Sequence, residues 1–195
     1  VTPAPPTIVL GTGNAHKVAE LTAILGPLLP GVEFLRSEGP SPVEYGKTFE
    51  ANALIKARAA HELTGLPAIA DDSGIVVDAL GGAPGIHSAR YAGTGDDGDN
   101  RRLLLERLGD ATDRTARFVC AAVYVDEGVE LVRRAEWEGV ILPAERGEGG
   151  FGYDPLFVPD DADGRSAGEL SADEKNAISH RGKAFRALAE AVPRP

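Results

Sequence analysis

The stretch from Thr115 to Leu142 constrains the fold more than any other part of the chain. Thr115–Val125 and Val129–Leu142 are rich in apolar and β-branched residues, and they flank Asp126-Glu127-Gly128. Two such runs about a glycine-bearing turn predict a long antiparallel hairpin. The segments on either side of it mix short strand-like runs with helical ones and do not alternate strictly. That pattern argues for an α/β (mixed α+β) domain.

Thr7–Leu10 reads as a strand that ends in Gly11, and Val32–Leu35 as a second. Between them Val18, Leu21, Leu25 and Leu28 recur at helical spacing, with Gly26-Pro27 expected to disturb or end the helix. Thr48–Thr64 predicts a helix rich in Ala and stopped by Gly65, with Pro67 beyond. Ala68–Ala70 reads as a buried strand ending at Asp71-Asp72, and Gly74–Leu80 as another strand-like run. A loop follows at Gly81–Gly85, then a helix over Asn100–Leu108 capped by Gly109. Gly147–Gly152 is glycine-rich, and Leu156–Val158 reads as a strand. Ser171-x-x-Glu174 fits a capping box, and Arg181–Val192 forms the last amphipathic helix. A length of 195 residues fits one domain, or one domain with a smaller lobe. The expectation is a single domain over 1–195, with 1–6 as a flexible tail.

The formal net charge is −10. An acidic surface repels nucleic-acid backbones and anionic membranes, so neither is an expected partner. It also disfavours an anionic small molecule, unless a metal and a few Lys or Arg reverse the field locally. No apolar run reaches the roughly 18 residues of a membrane span. Val1–Pro6 is rich in Pro and lacks the basic and apolar regions of a signal peptide, so the expected location is cytoplasmic. Cys120 is the only cysteine, which excludes an internal disulfide and a cysteine zinc cluster. Its apolar surroundings predict a buried thiol in the core.

Five segments carry residues suited to chemistry. Thr12-Gly13-Asn14-Ala15-His16-Lys17 sits where a strand turns into a helix. Free N–H groups there favour phosphate, and Lys17 adds charge; an ordinary Asn-capped turn explains the same residues. Asp71-Asp72 are adjacent carboxylates at an apolar strand, costly unless something compensates them. Mg²⁺ needs one or two carboxylates plus substrate phosphates, whereas an Asx turn would use them locally. Strand geometry sends the two to opposite faces, so one is expected at the site while the other caps or pairs. Glu44 precedes a helix on which Asn52 and Lys56, four apart, share a face. Phe151, Gly152, Tyr153 and Asp154 lie in a glycine-rich stretch whose rings suit either base stacking or a plug in a turn. Lys175, His180 and Arg181 gather near the start of the last helix, where basic groups oppose the helix dipole, which hints at an anionic ligand.

Together these stretches resemble the HAM1-like ITP/XTP pyrophosphatases, a family acting on non-standard purine nucleoside triphosphates. The matching segments are TGNAHK at 12–17, TFEANALIKA at 48–57, AIADDSG at 68–74, GGAPGIHSARYAG at 81–93, GGFGYDP at 149–155 and EKNAISHRG at 174–182. They run in order from about residue 7 to 192. The resemblance implies a homodimer, a long central mixed sheet flanked by helices, and two lobes with a nucleotide cleft between them. It implies Mg²⁺ and a 6-keto purine triphosphate such as ITP, dITP or XTP, cut to monophosphate and pyrophosphate.

By position, the resemblance has Thr12, Gly13, Asn14, Ala15, His16 and Lys17 hold the triphosphate, with Lys56 on the phosphate side. Asp72 binds metal and accepts a proton, and Ser73 touches substrate. Phe151, Gly152, Tyr153, Asp154, Lys175, His180 and Arg181 form the base and sugar side. The chain departs from the family at Ala51-Asn52-Ala53, where relatives often have Glu-Asn-Ala; Glu50 stands one place earlier. Glu44 lies where many relatives carry a metal-holding acid. Two other readings compete: a purine-nucleotide sensor without catalysis, and a Maf-like pyrophosphatase for modified pyrimidines.

Overall fold

The computed structural model describes residues 5–193. Of the expected tail, residues 1–4 lie outside the described residues, while the Pro6 carbonyl accepts the Glu33 N–H at 2.9 Å. The elements run β1 (Thr7–Leu10), α1 (Ala15–Leu28), β2 (Glu33–Arg36), α2 (Phe49–Thr64), β3 (Ala68–Val77), α3 (Asp97–Leu108), β4 (Thr115–Asp126), β5 (Val129–Ile141), β6 (Phe157–Pro159), α4 (Ala172–Ile178) and α5 (His180–Ala191). The strands form one six-stranded mixed sheet in the order β2-β1-β3-β4-β5-β6. β1 pairs parallel with β2 and β3, and β6 pairs antiparallel with β5.

Most elements form where their sequences predict them, for visible reasons. Asn14 caps α1 and Thr48 caps α2 through their side-chain oxygens. Gly65 ends α2 in the left-handed conformation that glycine adopts without strain. The capping box at Ser171 and Glu174 is formed, with both reciprocal hydrogen bonds. α1 runs one residue past Pro27 before it stops. The long hairpin is β4 and β5, joined by Glu127-Gly128 with Gly128 at φ 72.

One expectation fails in the middle of the chain. Asp71-Asp72 do not end a strand, and Gly74 does not begin another. β3 runs unbroken from Ala68 through both acids to Val77, and 78–80 continues as a short 3₁₀ turn. A strand can pass through two carboxylates because cations meet each of them, as described below.

The chain divides into two compact units. The first comprises the described parts of Val1–Asp72 and Arg181–Pro195 together with Cys120–Ala135; the second comprises Ser73–Val119 and Glu136–His180. The core of the first is aliphatic, with Leu10, Leu21, Leu25, Ile69 and Leu188 around Phe185 and the buried thiol of Cys120. The core of the second is aromatic at its centre: Phe118, Trp137 and Phe157 pack with Ile75, Leu104 and Leu156. The Phe118 and Phe157 rings meet edge to face at 4.8 Å. Among the described residues no helix is long and apolar enough to cross a membrane.

Candidate active site

In the first unit, β1 delivers the chain into the loop that opens α1. Gly11 fits there because a side chain would press on the Lys56 carbonyl, 3.0 Å from where its Cβ would stand. The Asn14 side chain accepts the N–H groups of His16 and Lys17, at 2.9 and 3.2 Å, and the Thr12 hydroxyl accepts that of Asn14. The Asn-capped turn is therefore real. It sets Lys17 in the first turn of α1, with the ammonium 3.2 Å from Asp71 Oδ2.

Asp71 is the hub of a buried charge network. Its Oδ2 takes Lys17 and also the Arg181 guanidinium, at 3.3 Å from Nη2. Arg181 in turn donates to Glu20 at 2.6 Å. Burial alone would raise the Asp71 pKa, but Lys17, Arg181 and Lys56 outweigh it and hold the carboxyl below the usual carboxylate range. Arg181 is lifted above its ordinary value: Asp71 and Glu20 outweigh burial. Burial lowers the Lys17 ammonium, against the pull of Asp71.

Asp72 meets a different cation. Its Oδ1 is 2.9 Å from Lys56 Nζ, and the same ammonium lies 3.4 Å from Glu44 Oε2. Burial raises the Asp72 pKa, and Lys56 only partly offsets it. Lys56 itself is raised, because Asp72, Asp71 and Glu44 together outweigh its burial. Two adjacent carboxyls are thus pushed in opposite directions, the pattern that separates a fixed charge from a proton acceptor. Asn52, on the Lys56 face of α2, accepts the Gly46 N–H at 2.8 Å and so ties down the loop that carries Glu44.

Among the described residues two buried carboxylate oxygens have no hydrogen-bond partner, Asp71 Oδ1 and Asp72 Oδ2. An open, buried, anionic oxygen at Asp72, with Glu44 on the same lysine, fits a hard cation. Among the described residues no group of three or more His, Cys, Asp or Glu forms a ready-made cage. A cation that draws its other oxygens from phosphate and water suits such a donor set.

The second unit gathers the aromatic loop. Asp154 Oδ2 accepts the Phe151 N–H at 3.0 Å and the Lys175 ammonium at 2.7 Å, both acid and lysine being buried. Lys175 Nζ stands 4.7 Å from the centre of the Phe151 ring, a cation–π contact. Tyr153 is buried, and its hydroxyl donates to the Ser88 carbonyl at 2.7 Å. His180 stacks on Phe118 at 4.7 Å with its ring nearly parallel. Ser73 follows Asp72 on β3, half-buried.

The sequence-predicted residues therefore fall into two sets. In the first unit Lys17 and Arg181 meet on Asp71, and Lys56 joins Asp72 to Glu44, with 12–16 forming the loop beside Lys17. Phe151, Gly152, Tyr153, Asp154 and Lys175 form the loop of the second, while His180 joins its aromatic core. Arg181, grouped with the base side on resemblance, has its guanidinium on Asp71 and Glu20. Sequence reasoning missed Asp71 as hub and Glu20 as partner. Contacts between residues 71 and 181 leave no trace in spacing, although Lys17 and Glu20, three apart on one helix, offered a hint.

Open carboxylates flanked by lysines, beside a capped helix start, are the equipment of a protein that handles metal and phosphate. The chain belongs to the Ham1 family, whose model matches residues 8–191. It is 52% identical over 185 residues to the dITP/XTP pyrophosphatase of Leifsonia xyli, covering 93% of this chain and 92% of that protein. It is 51% identical to the dITP/XTP pyrophosphatase of Symbiobacterium thermophilum, covering 95% and 94%. Its fold matches the HAM1 protein of Coxiella burnetii with a TM-score of 0.86 at 42% identity, covering 95% and 98%.

Proposed function

We propose that this chain hydrolyses non-standard purine nucleoside triphosphates, dITP, XTP and ITP, to the monophosphate and pyrophosphate. Two relatives about half identical to this chain, over 93% and 95% of it, are named dITP/XTP pyrophosphatases. The observation that carries the chemistry is Asp72: buried, raised in pKa, gripped on one oxygen by Lys56 and open on the other.

Asp72 and Glu44 would hold Mg²⁺. When bound, the metal supplies positive charge against the phosphates and acidifies water. The chain's own groups do the rest. The loop of Thr12 to His16, with Lys17, binds phosphate through N–H groups and one ammonium. Lys56 leaves Asp72 for the phosphates as substrate arrives. Water attacks the α-phosphorus, the bond from that phosphorus to the bridging oxygen breaks, and pyrophosphate leaves with the electron pair. Asp72 takes the proton of the attacking water on Oδ1, the oxygen that Lys56 has left. Asp71 stays ionised and keeps Lys17 and Arg181 in place. Phe151, Gly152, Tyr153, Asp154, Lys175 and His180 form the base side, with Arg181 next in sequence, and Ser73 meets substrate beside Asp72. A site built to hydrogen-bond one purine edge penalises the wrong base by leaving its own groups unpaired.

The reading includes a single domain over 1–195, a homodimer and a cytoplasmic setting, as befits an enzyme that clears the nucleotide pool. The test is Asp72→Asn assayed for pyrophosphate release from ITP with Mg²⁺. The expected loss in kcat is about 10²- to 10⁴-fold. Turnover within about threefold of the parent would overturn the assignment.

A further inference from the structure

The aromatic loop of the second unit is held from an unexpected quarter. Gly152 stands between Phe151 and Tyr153, at φ 62. Its N–H is accepted by the Asp97 carboxylate at 2.8 Å, and its carbonyl accepts Arg101 Nη1 at 2.8 Å. Asp97 and Arg101 are four apart on α3, so one helix face grips both polar groups of a single residue. Arg101 is itself steadied by Glu145, which takes its Nε at 2.7 Å. Hydrogen bonds with one charged partner are the stronger kind, and two of them on one residue remove most of its freedom.

The same face reaches the loop a second way. Asn100, buried between the two, accepts the Ala92 N–H at 2.8 Å and donates to the Ala89 carbonyl at 3.1 Å. That fixes the turn containing Ser88, whose carbonyl receives the Tyr153 hydroxyl. The loop is also tied at Gly149, whose N–H donates to the Gly168 carbonyl at 2.8 Å. An acidic, glycine-bearing run at 94–99 looks like a solvated helix start. Asp97 has a duty beyond that.

We propose that Asp97 and Arg101 are positioning residues for base selection: by holding the Gly152 peptide they fix the direction in which Phe151 presents its ring. The proposal rests on the reading of Phe151–Asp154 as the base side. Discrimination by a stacking ring depends on placement, and misplacement by a fraction of an ångström is felt in the rate. Neither residue touches substrate in this account.

The experiment measures kcat and KM for ITP and GTP in the full chain and in Asp97→Ala, Asp97→Asn, Arg101→Ala, Arg101→Lys and Phe151→Ala, with hydrogen exchange of the 149–155 amides. Asp97→Ala and Arg101→Ala are expected to reduce the ITP-to-GTP preference about fivefold to tenfold, mostly through KM, and to speed exchange in the loop. Asp97→Asn keeps an oxygen acceptor without its charge and should fall between the parent and Asp97→Ala. If Asp97→Asn falls as far as Asp97→Ala, charge at the helix start is what matters and the inference is overturned. Unchanged preference in Asp97→Ala also overturns it, provided Phe151→Ala has lost preference. If Phe151→Ala keeps its preference, the base-side reading fails and takes this inference with it.

Discussion

Asp71 and Asp72 are the same residue type, adjacent on one strand, with opposite duties. Asp71 receives two cations and stays charged; Asp72 receives one and is raised by burial. Removing the charge at Asp71 strands Lys17 in a buried setting and takes one of two carboxylates from Arg181. Asp71→Asn should therefore cost about 3 kcal/mol of stability in urea unfolding, the usual effect of deleting one partner of a buried ion pair. Asp72→Asn relieves a carboxylate that burial disfavours and leaves Lys56 with Glu44, so it should cost about 1 kcal/mol. Equal losses in the two variants would contradict this division. The sequence exposes both acids as costly and predicts that one serves the site while the other pairs. It does not say which cation each meets. Lys17 and Lys56 are visible as candidates because each sits on a helix in a recognisable motif. Arg181 reaches Asp71 across 110 positions of chain, a contact no local pattern encodes.

Among the elements, α2 does more than pack. One face carries Asn52 and Lys56, and each takes hold of the segment before the helix, Asn52 at Gly46 and Lys56 at Glu44. Gly46 leaves no room for a side chain, since its Cβ would press on the Asn52 amide and the Ala51 methyl. If Lys56 moves to phosphate, Asn52 is what keeps Glu44 near Asp72. Asn52→Ala should weaken Mn²⁺ binding, used as a spectroscopic probe, by about tenfold in a direct titration without nucleotide. Unaltered affinity would show that the Glu44 loop holds itself. Helix ends were readable because Asn14, Thr48, Gly65, Ser171 and Glu174 cap by local rules. β3 was not, because an apolar run broken by two acids looks finished until the distant lysines and Arg181 are known to be there.

Taken entire, the molecule is acidic, and inside it Lys17, Lys56 and Arg181 are met by four carboxylates, Glu20, Glu44, Asp71 and Asp72. The mixed class of the fold followed from the hairpin and from helices that do not alternate with strands. The division into two units was expected from the resemblance, which implies two lobes; residue spacing does not show it, since both units are stitched from separated segments. Among the described residues no group of three or more His, Cys, Asp or Glu stands ready to hold a metal. A chelator should abolish turnover while moving the thermal midpoint by less than about 2 °C, read by circular dichroism in the absence of nucleotide. A large drop would mean that the fold itself depends on metal.

The separation of Asp71 from Asp72 has a practical side. On the proposed roles, in which one acid serves the architecture and its neighbour the chemistry, the chain can be silenced without being dismantled. Asp72→Asn, immobilised on a resin, would serve as bait: it would retain the phosphate loop and the aromatic loop and turn its captives over about 10²- to 10⁴-fold more slowly. Passed over a pool of cellular nucleotides, such a column would retain the molecules this enzyme patrols for and report them by mass.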